Sequence, residues 1–124
     1  MLTLEECIEL AEWQYGGKVK LTDPANKGTL WVHNGEGNPV MHIKWYNPSE
    51  NFEQLYELEE KLFTVLFPIS TNYIIQYHNE IHYWKYSIYI EPEENVFKVL
   101  VKGVGATRQL ACINAILNGL KERE

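Results

Sequence analysis

The stretch Ile81-His82-Tyr83-Trp84-Lys85-Tyr86-Ser87-Ile88-Tyr89-Ile90 decides the fold. Its residues change character with a period of two, and a strand sends successive side chains to opposite faces. Trp84, Tyr86, Ile88 and Ile90 therefore share one face, and Tyr83, Lys85, Ser87 and Tyr89 the other. Residues 73–77 form a shorter strand ahead of the turn His78-Asn79-Glu80. Residues 96–102 form another after the turn Pro92-Glu93-Glu94-Asn95. Connections this short exclude parallel crossovers, so the strands run as an antiparallel meander. Upstream, 29–33 and 40–46 are two further strand candidates around Asn34-Gly35-Glu36-Gly37-Asn38-Pro39, and 18–28 reads as a loop.

Helices flank these strands. Thr3-Leu4-Glu5-Glu6 is a capping box. Leu4, Ile8, Ala11 and Tyr15 follow at helical spacing, and Gly16-Gly17 ends the run. Asn47 at an N-cap, Pro48 at the first helical position and Glu50 at the third predict a second helix. Phe52, Leu55, Leu58, Leu62 and Leu66 are its apolar stripe; Glu53, Glu57, Glu59 and Glu60 are its solvated face. Pro68 ends it near Leu66. The last helix runs from Ala106 to about Lys121, with Leu110, Ile113, Leu117 and Leu120 on its buried side. Three apolar stripes need the sheet to cover them. The fold predicted is α+β, an antiparallel meander flanked by helices in an α/β/α sandwich-like arrangement, as one domain over 1–124.

Composition narrows the function. The formal charge is −6, from 17 acidic and 11 basic residues. That balance disfavours wrapping DNA or RNA, which rewards clustered Lys and Arg, and disfavours an anionic membrane surface. Cys7 and Cys112 sit among apolar helical residues without a CxxC pair and read as small buried hydrophobes. The start, Met1-Leu2-Thr3-Leu4, has no basic n-region, and no apolar run reaches the about 18–20 residues that span a bilayer. The expected location is the cytoplasm.

Residues 47–62, Asn-Pro-Ser-Glu-Asn-Phe-Glu-Gln-Leu-Tyr-Glu-Leu-Glu-Glu-Lys-Leu, close a strand and open a helix. Residues 106–120, Ala-Thr-Arg-Gln-Leu-Ala-Cys-Ile-Asn-Ala-Ile-Leu-Asn-Gly-Leu, form the last helix. Both segments, with the opening Leu-Thr-Leu-Glu-Glu, resemble the phage ABA-sandwich domain family. The resemblance implies a helix–sheet–helix sandwich encoded by a bacteriophage or prophage. It brings no catalytic residue. The aromatic strands of 73–101 and the Gly-Val-Gly lead-in to the last helix depart from the family pattern.

Two residue groups suggest binding. Lys102-Gly103-Val104-Gly105-Ala106-Thr107-Arg108 joins a strand to a helix, where free backbone N–H groups attract anions and glycine admits a phosphate. A tight turn capped by Thr107 or Gly105 is the competing reading, since the spacing matches neither a P-loop nor a dinucleotide fingerprint. Tyr83, Lys85 and Tyr89 set rings beside a cation, suited to stacking a purine unless a helix covers them. His78, Glu80 and His82 lack the further converging ligands a metal needs, and Ser49 and Ser87 lack His and Asp companions. No catalytic residue, metal or cofactor is assigned.

The empty catalytic inventory suits non-enzymatic binding, and the resemblance to small phage domains implies that such binding counters host immunity. The proposed ligand is a phosphate-containing signalling nucleotide, held by Lys102, Gly103, Gly105, Thr107, Arg108, Tyr83, Lys85 and Tyr89. The alternative is a host protein bound through an aromatic or acidic face. Abundant Tyr and Trp would also suit a homodimer.

Overall fold

The computed structural model describes residues 2–21, 30–66 and 71–123. The protein is an α+β fold in which antiparallel sheets are flanked by helices. Its contacts gather into two compact units, Met1–Asn47 and Pro48–Glu124.

The first unit opens with α1, Leu4–Tyr15. Its capping box forms as expected: Thr3 Oγ1 accepts from Glu6 N–H at 3.1 Å, and Thr3 N–H donates to Glu6 Oε1 at 2.9 Å. Gly16 ends the helix in the left-handed region, φ +84°, and its N–H donates to Glu12 O. Strands β1 (Lys20–Leu21), β2 (Leu30–His33) and β3 (Pro39–His42) form a three-stranded antiparallel meander. Asn34 shapes the β2–β3 turn by accepting from both Glu36 N–H and Asn38 N–H at 3.0 Å. Leu10, Ala11, Val32, Ile43 and Tyr46 are buried in this unit, and Tyr46 OH donates to Gln14 Oε1 at 2.6 Å.

Two expectations need correction here. The 18–28 loop contains β1, with 22–28, like Thr29, outside the described residues. The strand expected over 40–46 stops at His42 and turns into a 3₁₀ segment, Ile43–Trp45. His42 Nδ1 accepts from Lys44 N–H at 3.2 Å, a local bond that competes with continuing the ladder.

The second unit begins with α2, Phe52–Lys61, continued by a π-helical turn, Leu62–Leu66. Asn51 caps this helix, not Asn47: its Oδ1 accepts from Gln54 N–H at 3.1 Å. Residues 48–50 form the preceding turn, where Pro48 is buried. Both asparagines could cap; the one directly ahead of the Leu55, Leu58, Leu62 stripe does. Pro68 and the side chain of Leu66 lie outside the described residues.

Strands β4 (Thr71–His78), β5 (Tyr83–Glu93) and β6 (Val96–Gly105) make a second antiparallel meander, so the described strands form two sheets and not the single sheet expected. Tyr83 starts β5 because 79–82 is a turn, in which His82 takes φ +48°. Pro92 lies within β5, beside a register shift against β6, and the turn is at Glu94-Asn95. The two predicted faces of β5 hold. Tyr86 and Ile88 are fully buried on the inner face, beneath α3 (Arg108–Arg123).

Gly103 and Gly105 explain how closely that helix approaches. Neither belongs to a turn; both are strand residues of β6, opposite Tyr86 and Trp84. A Cβ on Gly103 would lie 2.5 Å from Ala111 O and nearer still to Ala115 N. A Cβ on Gly105 would lie 2.7 Å from Ala111 N. Glycine is present here so that a helix backbone can rest on a strand.

Candidate functional site

α2 and α3 both lie on the inner face of the second sheet, and a hollow of about 280 Å³ opens between them. α2 contributes Phe52, Leu55 and Glu59, the sheet contributes Ile75 and Tyr86, and α3 contributes Arg108, Gln109 and Cys112. Thr107 holds the start of α3 by accepting from Leu110 N–H at 3.1 Å. The Arg108 guanidinium then lies over Trp84, 5.5 Å from the ring centroid.

The polar centre of this hollow is Glu59. Tyr86 OH donates to Glu59 Oε2 at 3.2 Å. Burial raises the Glu59 carboxyl above the ordinary carboxylate range; hydrogen bonds from Tyr86 and Cys112 and the charge of Arg108 oppose that rise. Burial also pushes the Tyr86 hydroxyl and the Cys112 thiol up, with the Glu59 charge adding to both. Both groups therefore keep their protons at neutral pH and remain donors.

Glu59 was expected on a solvated face with Glu53, Glu57 and Glu60, and only those three are exposed. A signal was present: position 59 is four residues after Leu55 and three before Leu62, which puts it on the apolar stripe. Phe52 shows the reverse error. It is 69% exposed, at the mouth of the hollow, because it is the first residue of its helix.

A raised carboxyl has a testable sign. Folding then favours protonated Glu59, so stability from this group falls as pH rises from the unfolded value, 4.5, through the folded one. Glu59→Gln is expected to melt above the parent near neutral pH, with the gap closing at about pH 3, where both states hold the proton. Thermal melts at the two pH values check this; a gap of equal size at both would contradict it.

The residues expected to form one site divide between two faces. β6 is strand through Gly105, so Lys102 points to the outer face and Gly103 and Gly105 to the inner. Tyr83, Lys85 and Tyr89 are on the outer face with Lys102, whereas Arg108 is on the inner face above Trp84. Both glycines are covered by α3 backbone, where no phosphate can approach. Among the described residues, no helix of this unit covers the outer face. It forms a shallow hollow of about 240 Å³, lined by Ile74, Gln76, Lys85, Ser87, Tyr89, Phe97 and Val99. Phe97 and Val99 are 60% and 53% exposed. At the β6 side, Lys85 and Lys102 meet Lys121 along a groove. At the opposite end, His78 stacks on Tyr83, and His82 Nδ1 lies 3.2 Å from Tyr77 OH.

No protein-family model, curated protein or solved structure matches this chain. No described helix is long and apolar enough to cross a membrane.

Proposed function

We propose that the protein acts by binding, and that the inner hollow holds a phosphate-bearing nucleotide without converting it. One observation carries this reading: a guanidinium and a carboxyl line the same hollow, beside aromatic and aliphatic walls. A nucleotide joins a flat ring bearing donor groups to an anionic tail. The ring suits Phe52, Leu55 and Ile75, an exocyclic amine suits Glu59, and the phosphate suits Arg108. At about 280 Å³ the hollow is small for a ligand site, so it fits one nucleotide unit rather than a dinucleotide. The resemblance to phage ABA-sandwich domains supplies a setting, in which removing a host signalling nucleotide from the host cytoplasm blunts an immune response.

Calorimetric titration with cyclic and ADP-ribose-derived nucleotides tests the reading. One of them is expected to bind and to be recovered unchanged. Arg108→Ala is expected to weaken binding about tenfold or more, the value of a hydrogen bond to a charged group. Absence of binding by the whole panel, or equal binding by Arg108→Ala, would overturn it.

The exposed Phe97 and Val99 favour a second reading, in which a host protein docks on the outer face. A host protein retained stoichiometrically on the immobilised chain, and lost with Phe97→Ser but not Arg108→Ala, would put the function there.

A further inference from the structure

The two edges of the second sheet are treated differently. β6 is one edge, and α3 closes part of it: Asn114 Nδ2 donates to Val104 O and Asn118 Nδ2 to Lys102 O, each at 2.7 Å. Lys98 and Lys102 add charge along the strand, and register shifts interrupt its pairing with β5. Such devices keep an edge from recruiting another strand.

β4 is the other edge and has none of them. It pairs with β5 residue for residue, Thr71↔Ile90 through His78↔Tyr83, without a shift. Its sequence, Thr-Asn-Tyr-Ile-Ile-Gln-Tyr-His, contains no Lys, Arg, Asp, Glu, Pro or Gly. Tyr73, Ile74 and Tyr77 are exposed, and among the described residues no strand pairs with its free side. A long, flat, uncharged edge of strong strand formers is a template for one more strand.

We infer that this strand is the β4 of a second copy, antiparallel across a two-fold axis, so that two three-stranded sheets become one of six. The strand's own sequence selects this occupant. Tyr73-Ile74-Ile75-Gln76-Tyr77 carries no charge and is nearly symmetric about Ile75, so two copies of it meet without opposing like charges although each chain carries −6. A two-fold at Ile75 sets Ile74 opposite Gln76, and Tyr73 opposite Tyr77, an aromatic cross-strand pair. Closure follows from the asymmetry of the edges: with the β6 edge guarded, pairing through β4 stops at a dimer.

Light scattering on an eluting column tests this on the unmodified chain. A species of twice 14.5 kDa is expected, and because the interface is neutral while the chains repel, added salt strengthens it. Ile74→Lys is expected to elute as a folded monomer by circular dichroism. Adding Gln76→Glu is expected to restore the dimer, since each ammonium then meets the other copy's carboxylate. Hydrogen exchange needs no variant: amides of 72–78 are expected to slow with concentration while those of 96–100 do not change. A parent that is monomeric at every concentration, a dimer that survives Ile74→Lys, a double variant that folds as a monomer, or assembly beyond two copies would each overturn the inference.

Discussion

Gly103→Ala is expected to cost about 3 kcal/mol of folding stability, the upper range for overpacking a core. The reason is what surrounds the new methyl. Its neighbours would be Ala111 O, at 2.5 Å, and the Ala115 and Asn114 backbone of α3. A side chain could rotate away, but helix backbone cannot without lifting α3 from the sheet. That helix buries Ala111, Cys112, Ile113, Ala115, Ile116 and Leu117, so lifting it opens the core and moves Arg108 away from the hollow. Urea unfolding measures the loss. Gly35→Ala is the control, because a Cβ there has no heavy atom nearer than 3.9 Å. A Gly103→Ala protein as stable as that control would contradict the close contact.

Tyr86→Ala is expected to cost about 3–5 kcal/mol, as truncation of a buried aromatic does. The Tyr86 ring is fully buried and stacks on Tyr73, with centroids 5.1 Å apart and planes 8° from parallel. It also forms part of the hollow's wall and gives Glu59 its hydroxyl donor. Tyr86→Phe separates these roles: it keeps the ring and removes only the donor, for about 1–2 kcal/mol. Because that hydrogen bond opposes the rise caused by burial, the Glu59 carboxyl in Tyr86→Phe is expected to titrate still higher. Carboxyl-carbon NMR follows the titration directly. An unchanged Glu59 midpoint would mean the hydroxyl does not serve the carboxyl in solution.

The nucleotide reading and the dimer can fail separately. Arg108→Ala changes the hollow and leaves the β4 edge intact, whereas Ile74→Lys changes the edge and leaves the lining of the hollow in place. A ligand-free dimer would preserve the self-pairing inference, and a nucleotide-binding monomer the functional one.

The sequence by itself determined whatever depends on neighbours along the chain. The Thr3–Glu6 capping box, the Gly16 stop, the antiparallel order of β4, β5 and β6, and the two faces of β5 all follow from local hydrogen bonding and periodicity. Only the tertiary structure decided the rest. Gly103 and Gly105 have the chemistry of a phosphate turn until α3 is seen resting on them; a glycine required by a distant backbone looks the same in sequence as one required by a turn. Glu59 looks like its solvated neighbours until Tyr86, distant along the chain, donates to it. The division of the expected site between two faces has the same origin: β6 continues as strand through Gly105, and which face a residue takes depends on where the strand ends.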